Sequence, residues 1–274
     1  MIEVMQNVPD ILGIIAGSGV YPAAMAAGAR RAGVGRVAVA AFVNETDPAL
    51  EAKVEAWEWL KVGQLGKLSK FLRSHGVKHA VMCGEIAPKN LFALSPDLRL
   101  LMMMARLKER NAETLFGVIA DELGKDGITL LSATSFLEDH LPVAGHLCGP
   151  VRKAKELLDV EFGLKIARET SRLDIGQTVV VRRGTVLAVE AFEGTNECIK
   201  RGGGMGKGKA TVVKVSKPNQ DFRFDVPVVG PATIEAAGVA GVLILAIEAG
   251  RTLLLEKEET ARLCGQLGVT LIAV

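Results

Sequence analysis

Aromatic side chains make up only 4% of this 274-residue chain, so its core has to be built from Ala, Val, Leu and Ile. Charge is nearly balanced: 33 Lys and Arg against 31 Asp and Glu leave a formal +2. That is too close to neutral for a nucleic-acid binder acting through bulk electrostatics, and no nucleic-acid partner is expected. No run of one sign is long enough to read as a solvated tail. Four cysteines occur, Cys83, Cys148, Cys198 and Cys264. None form a C-x-x-C pair and their scatter fits no zinc pattern, so they read as buried free thiols in a reducing compartment. Long apolar runs are missing too. Nothing approaches the ~18 residues that span a bilayer. Ile11–Ala16, with Glu3 and Asp10 before it, is too short for the core of a secretory signal. These absences point to a cytoplasmic protein that at most sits on a membrane surface.

What is present is hydrophobic: 49% of residues, ample for one large domain or two small ones. The first half alternates strand and helix signals. Strands are expected at Ile11–Ala16, Val37–Val43, Glu58–Val62, His79–Cys83 and Ile128–Ala133. Helices are expected at Pro22–Ala32, Leu65–Ser74, Pro96–Glu109 and Asn111–Leu123. Strands separated by helices of this length indicate a parallel sheet covered on both faces. Pro142–Pro150 reads as a linker from its prolines and glycines. Beyond it the character changes. A helix at Lys153–Thr170 leads to strands at Thr178–Arg182, Thr185–Phe192, Thr211–Val215 and Phe222–Val226. A helix at Thr233–Ala240, strands at Val242–Ala246 and Thr252–Leu255, a helix at Lys257–Leu267 and a strand at Thr270–Val274 complete the chain. The expected fold is α/β: an N-terminal Rossmann-like parallel-sheet domain (1–141), a linker (142–150) and a C-terminal mixed α/β catalytic domain (151–274).

Two glycine loops stand at strand ends in the first half. Gly17, Ser18 and Gly19 separate a strand from a helix, where backbone N–H groups and about half a positive charge can meet an anion. The third glycine of a dinucleotide fingerprint is missing, since Pro22 occupies its place, so the loop is either a phosphate cradle or a tight turn. In Gly63-Gln64-Leu65-Gly66-Lys67, Gln64 and Lys67 are candidate contacts for a uracil or a phosphate, or Lys67 is simply solvated.

The second half carries the charged candidates. Glu190 lies within the otherwise apolar run Val186–Phe192, and a buried carboxylate needs a partner, a ligand or a metal. Glu193, Gly194, Thr195 and Asn196 follow at once, with Thr195 suited to capping a short helix whose start can hold an anion. Lys214 and Lys217 flank a strand end, where cations neutralise charge on a diphosphate. Phe222 to Val226 alternates, placing Phe222 and Phe224 on one face and Arg223 and Asp225 on the other. Asp225 is then a metal ligand, a general base, or the partner of Arg223. Gly203–Lys209 fails as a phosphate-binding loop, because Ala210 stands where Ser or Thr would hold magnesium, and it reads as a surface loop. Asp174 to Gln177 reads as a turn joining helix to strand. None of the four histidines has metal-ligand spacing.

Taken in order, these motifs resemble one family, the LpxI-type UDP-2,3-diacylglucosamine pyrophosphatases. They are Ile14–Gly19 with Pro22, Gly63–Lys67, Leu173–Gln177, Val189–Thr195, Lys214 with Lys217-Pro218, and Asp225 with Pro227 and Gly230. The resemblance spans nearly the whole chain. It implies hydrolysis of UDP-2,3-diacylglucosamine to UMP and 2,3-diacylglucosamine 1-phosphate on the route to lipid A, with Mg2+ required and substrate held between two domains. It implies a catalytic set of Asp225, Glu190, Glu193 and Lys214, with Asp225 as metal ligand. It implies substrate contacts at Gly17, Ser18, Gly19, Gln64, Gly66, Lys67, Asp174, Gln177, Gly194, Thr195, Asn196 and Lys217. A lipid-linked substrate implies peripheral contact with the inner membrane, and a homodimer is a possible assembly. Leu100–Met104 is a candidate lining for the acyl chains, because methionine adapts to irregular shapes. One departure stands out: the family commonly reads Glu-Gly-Thr-Asp, whereas this chain has Asn196 in fourth place. The alternatives are a non-catalytic nucleotide-sugar or lipid carrier and, more remotely, a nucleotide-dependent oxidoreductase.

Overall fold

The computed structural model describes residues 8–86, 96–105, 112–218 and 220–274. Contacts divide the chain into two units. The first is Met1–Glu138 with Asp221–Asp225, and the second is Asp139–Gln220 with Val226–Val274.

The first unit is built on a five-stranded parallel sheet. Its strands are β1 (Ile11–Ala16), β2 (Arg36–Phe42), β3 (Ala56–Leu60), β4 (His79–Cys83) and β5 (Thr129–Leu130), in the order β3-β2-β1-β4-β5. Every residue of β1 is buried, as expected of a strand covered on both faces. At the edge, β3 pairs with β2 and carries Trp57 and Trp59, whose rings meet edge to face at 5.1 Å. Helix α1 (Tyr21–Arg31) has Pro22 in its first turn, where a missing N–H costs nothing. Helix α2 (Leu65–Ser74) buries Leu65, Leu68, Phe71 and Leu72, one stripe of a 3.6-residue period. Helices α3 (Leu98–Met104) and α4 (Ala112–Lys125) follow. Of the helix expected at Pro96–Glu109, Asp97 and Ala105 are the caps of α3, and residues 106–109 lie outside the described residues.

The second unit has a mixed six-stranded sheet in the order β6-β13-β11-β9-β7-β8. Its strands are β6 (Gly145–Cys148), β7 (Thr178–Arg182), β8 (Thr185–Val189), β9 (Ala210–Lys214), β11 (Val242–Ile247) and β13 (Thr270–Ala273). β9, β11 and β13 run parallel, while β6 and the β7–β8 hairpin add antiparallel pairs. A small parallel pair joins β10 (Val228–Val229) to β12 (Leu253–Leu254). Helix α5 (Ala154–Arg172) covers one face, where Val160 and Ala167 pack with Val179, Val181 and Val213. Helices α6 (Thr195–Met205), α7 (Pro231–Val239) and α8 (Lys257–Leu267) cover the other, against Val180, Val212 and Leu245. The alternation of Val179, Val180 and Val181 between the two cores is the period-2 rule at work. No helix among the described residues is long and apolar enough to cross a membrane.

The α/β architecture expected of both halves is the one found. Four local expectations are corrected. The segment read as a linker contains β6, which pairs antiparallel with β13; proline and glycine mark its ends while its middle completes a sheet edge. The run read as a loop at Gly203–Lys209 begins as the end of α6. There Gly202 and Gly203 let the helix approach Val180 and Ala240 so closely that a Cβ would come within 2.5 Å. Phe222–Val226 is a turn, with Asp221 O accepting from Phe224 N and Asp225 N. The strand expected over Ile128–Ala133 is two residues long, because β5 meets only His79 and Ala80 of β4.

Candidate functional site

In the second unit, three polar side chains gather where β8 and β9 end and α6 begins. Glu190 follows β8 and is 7% exposed; Lys214 ends β9 and is 6% exposed. Between them lies Thr195. Its Oγ1 donates to Glu190 Oε1 at 3.0 Å and accepts from Lys214 Nζ at 3.0 Å. Its single proton fixes these directions, and Thr178 Oγ1 lies 3.3 Å from the same oxygen. Lys214 Nζ also donates to the Val228 carbonyl at 3.3 Å. Two buried opposite charges are thus joined through one hydroxyl. Backbone packing holds the carboxylate. Glu190 N donates to Thr178 O, and Gly176 lies so near that a Cβ there would be 2.0 Å from Glu190 O. Glu190 Oε2 and Gln177 Oε1 are buried without partners. The adjacent Cys198 thiol is pushed up to about 12, first by burial and then by the Glu190 charge, so it stays protonated and is no nucleophile at neutral pH.

The other candidates at this edge take partners of their own. Gly194, with φ of 83°, is the N-cap of α6, and Thr195 is its first helical residue. Thr195 is therefore one place inside the cap expected of it, and Asn196 lies in the first turn. Glu193 stays out of the cluster: its Oε2 accepts from Ala191 N, and it forms an ion pair with Arg201 that holds its carboxyl below the usual range. Lys217 pairs with Asp174, which turns the chain after α5 with φ of 56°. The backbone beside Lys217 is pinned: Ser216 N donates to Glu248 Oε2 at 3.0 Å and Lys217 N to Gln220 Oε1 at 2.7 Å.

In the first unit the glycine loops are occupied by the protein itself. Gly17 N donates to Cys83 O at 2.8 Å, and Ser18 N to Glu85 O at 2.7 Å. Ser18 Oγ also donates to Glu85 O. The loops after β1 and β4 are thereby stitched together at the point where strand order reverses, the usual place for a ligand crevice. Gly17 is there for approach, since a Cβ would be 2.5 Å from Glu85 O. Gly19 keeps φ of 83° and lines a small cavity with Pro22, Ala23, Thr46, Asp47 and Lys53. At the second loop, Gly66 N donates to Asp97 Oδ2 at 2.6 Å, while Asp97 Oδ1 accepts from Leu100 N at 3.0 Å. One carboxylate thus serves the starts of both α2 and α3. Gln64 Oε1 accepts from Lys61 N, and Lys67 is exposed.

Asp225 belongs to the first unit, not to the domain that its sequence position suggests. Its turn is docked there by Phe222 O, which accepts from Ala133 N at 2.7 Å, and by Phe224, whose ring lies 5.6 Å from that of Phe116. The partner of Arg223 is Asp221, gripped from Nε and Nη2; that fork holds the Asp221 carboxyl below its usual range. Asp225 is half-buried.

Residues 11–140 match the LpxI N-terminal domain model and residues 143–272 the LpxI C-terminal domain model. The chain belongs to the LpxI family. One relative, from Caulobacter vibrioides, is named UDP-2,3-diacylglucosamine pyrophosphatase LpxI. It is 34% identical over 275 aligned residues, covering 96% of this chain and 97% of the relative.

Among the described residues of this LpxI-family chain, no three His, Cys, Asp or Glu side chains are grouped to hold a metal ion. Magnesium is commonly held by one or two carboxylates with waters and substrate phosphates completing the shell. The single half-buried carboxylate of Asp225 fits that kind of shared site and does not fit a closed protein cage. Leu100 and Met103 are core residues, whereas Leu98, Leu101 and Met102 are exposed, so only part of the suggested acyl lining is available to a ligand. Asp97 and Glu248 were missed from sequence. Glu248 had a legible signal, a carboxylate directly after the apolar run Val242–Ile247, as Glu190 stands out among apolar neighbours.

Proposed function

We propose that this chain hydrolyses UDP-2,3-diacylglucosamine to UMP and 2,3-diacylglucosamine 1-phosphate. The supporting observation is the match of both halves to LpxI domains, with a pyrophosphatase relative aligned over 96% of the chain. In such a hydrolysis, water oxygen bonds to one phosphorus, the bridging P–O bond breaks, and the bridging oxygen leaves with the other phosphate. The leaving group is already a stable phosphate, so catalysis is mostly positioning and charge neutralisation. Magnesium, when bound, supplies Lewis-acid stabilisation of phosphoryl oxygens, and Asp225 is the carboxylate assigned to hold it. Lys214 is assigned to offset charge developing on the diphosphate. Glu190, through the Thr195 hydroxyl, keeps that ammonium oriented. The first-turn N–H groups of α6, beyond an N-cap that has no side-chain bond, present partial positive charge on the same side.

UMP release from the purified substrate, with magnesium and then with excess chelator, tests this reading. Asp225→Asn should lower release by about a hundredfold or more while leaving the thermal transition in place. Release unaffected by chelator would remove the metal, and full activity of Asp225→Asn would remove Asp225. Product binding without any release would identify a carrier of the same fold.

A further inference from the structure

All four cysteines are free thiols; Cys83, Cys198 and Cys264 are buried, whereas Cys148 is half-buried. Cys148 lies in β6, the edge of the second sheet opposite to the β8 edge that leads into the Glu190 cluster. Strand pairing aims its side chain. Cys148 is the register partner of Leu271 in β13, and partners across an antiparallel pair share a face. Leu271 belongs to the core that also holds Leu263, Cys264 and Val269, and Cys148 packs against that core. The backbone beyond each cysteine is held in place. A Cβ on Gly149 would be 2.0 Å from Val269 O, and Val269 N donates to Cys264 O at 3.1 Å. Next to this contact, Thr270 Oγ1 accepts from Arg152 Nε at 2.8 Å and donates to Pro150 O at 2.5 Å. The chain that leaves Cys148 therefore runs against the turn that leaves Cys264 at the end of α8. Across that junction the Cys264 thiol donates to the Cys148 sulfur. The bond holds the Cys148 thiol below its ordinary value against the opposing effect of burial, and with burial it pushes the Cys264 thiol up. A half-buried sulfur that favours its thiolate, touching a buried thiol, has the parts of an attacking and a resolving cysteine. Cys83 and Cys198 are held protonated by burial.

We propose that Cys148 and Cys264 form a reversible thiol–disulfide pair, oxidised by hydrogen peroxide, that fastens β6 to α8. The Cys148 thiolate attacks one peroxide oxygen, the O–O bond breaks, hydroxide leaves, and Cys148 becomes a sulfenic acid. The Cys264 sulfur then attacks the Cys148 sulfur. An S–S bond forms, the S–O bond breaks, and the departing hydroxide takes the Cys264 proton as water. In sum, two thiols give up two electrons to one hydrogen peroxide and yield one disulfide and two waters. A small thiol reverses the bond by exchange. The two cysteines are far apart in the sequence, so the bond closes a long loop and stabilises the fold chiefly by restricting the unfolded chain. The pair shares no residue with the pyrophosphatase reading and does not depend on it.

The test treats the whole chain with hydrogen peroxide, at a dose that oxidises N-acetylcysteine in the same buffer, and counts thiols in denaturant before and after dithiothreitol. Two of the four thiols should disappear and return on reduction, and non-reducing peptide mapping should find Cys148 joined to Cys264. The urea midpoint followed by far-UV circular dichroism should rise by about 1 M in the joined form. In Cys148→Ser, peroxide should leave the midpoint and the remaining thiols unchanged. In Cys264→Ala, oxidation should stop at a sulfenic acid on Cys148 that dimedone traps; if this variant fails to fold, Cys148→Ser decides. Survival of all four thiols, a bond between other cysteines or between two copies, or Cys148 oxidised past the sulfenic acid beside a free Cys264 would overturn the pair. A joined form with an unaltered midpoint would overturn the fastening of β6 to α8.

Discussion

Thr195→Val isolates the bridge between Glu190 and Lys214. Valine matches threonine in shape, so packing is preserved and only the hydroxyl is lost. Two hydrogen bonds go, each to a charged group, and such bonds contribute about 1.5–3 kcal/mol apiece. With Glu190 and Lys214 only 7% and 6% exposed, water cannot readily replace the hydroxyl. Lys214 keeps the Val228 carbonyl, and losses within one network do not simply add. The expected destabilisation is about 2–4 kcal/mol, a large share of the ~5–15 kcal/mol typical of a folded protein. Urea unfolding reads it as a midpoint lowered by about 1 M or more. The optical probes help here: both tryptophans, Trp57 and Trp59, and the one tyrosine, Tyr21, lie in the first unit. Tryptophan fluorescence therefore follows that unit, and far-UV circular dichroism sees both. The shift should appear in the dichroism component that fluorescence does not track. UMP release should fall at least tenfold as Lys214 loses its orientation. Thr195→Ser retains the hydroxyl and should stay within about 1 kcal/mol of wild type. A Thr195→Val protein within ~0.5 kcal/mol of wild type would show that the hydroxyl does not carry the coupling between these charges.

Three further predictions concern the first unit, each read by tryptophan-detected unfolding. Gly17→Ala drives a Cβ to 2.5 Å from Glu85 O and should cost about 3 kcal/mol. Gly19→Ala meets nothing within 4 Å but keeps φ of 83°, so about 1–2 kcal/mol is expected; the reverse ranking would mean the β1 and β4 loops are not stitched. Asp97→Ala removes the acceptor at two helix starts and should cost about 1–2 kcal/mol, with Asp97→Asn retaining most of it; equal losses would assign the effect to charge. Finally, Glu122 is held below the usual range by Lys125 and then Arg99, and Asp126 by Arg99. Folded-state values lowered below about 4.3 and 3.9 mean that their stabilisation is complete above those values and is lost as pH falls through the folded ones. Acid below about pH 4 should weaken this unit, and Arg99→Met should flatten that dependence; identical slopes would exclude the network.

Much of the architecture was legible because apolar periodicity reports it directly. Ile11–Ala16, Leu65–Ser74, His79–Cys83, Thr178–Arg182 and Lys257–Leu267 were bounded correctly from pattern alone. Where pattern failed, a tertiary contact had overridden a local rule. Phe222 to Val226 alternates like a strand, but its two phenylalanine positions serve a turn whose ring and carbonyl contacts lie with Phe116 and Ala133. The glycines of 202–204 look like a loop, yet the close approach to Val180 and Ala240 makes their small size an asset within a helix.

For the candidate site, residue types and order could be read and partnerships could not. Sequence alone singled out Glu190 and Lys214 as charges among apolar neighbours, which cost energy unless something answers them, Thr195 as a candidate helix cap, and Asp225 on the polar face of an alternating run. It also determined the family through the ordered motifs. Tertiary structure decided which groups answer which: one hydroxyl joins Glu190 to Lys214, Arg223 turns to Asp221, Glu193 goes to Arg201, and Asp97 takes the start of α2. The physical reason is range. Periodicity and propensity act over a few residues along the chain, whereas hydrogen bonds and ion pairs act over about 3 Å in space, between segments whose meeting the local sequence does not encode.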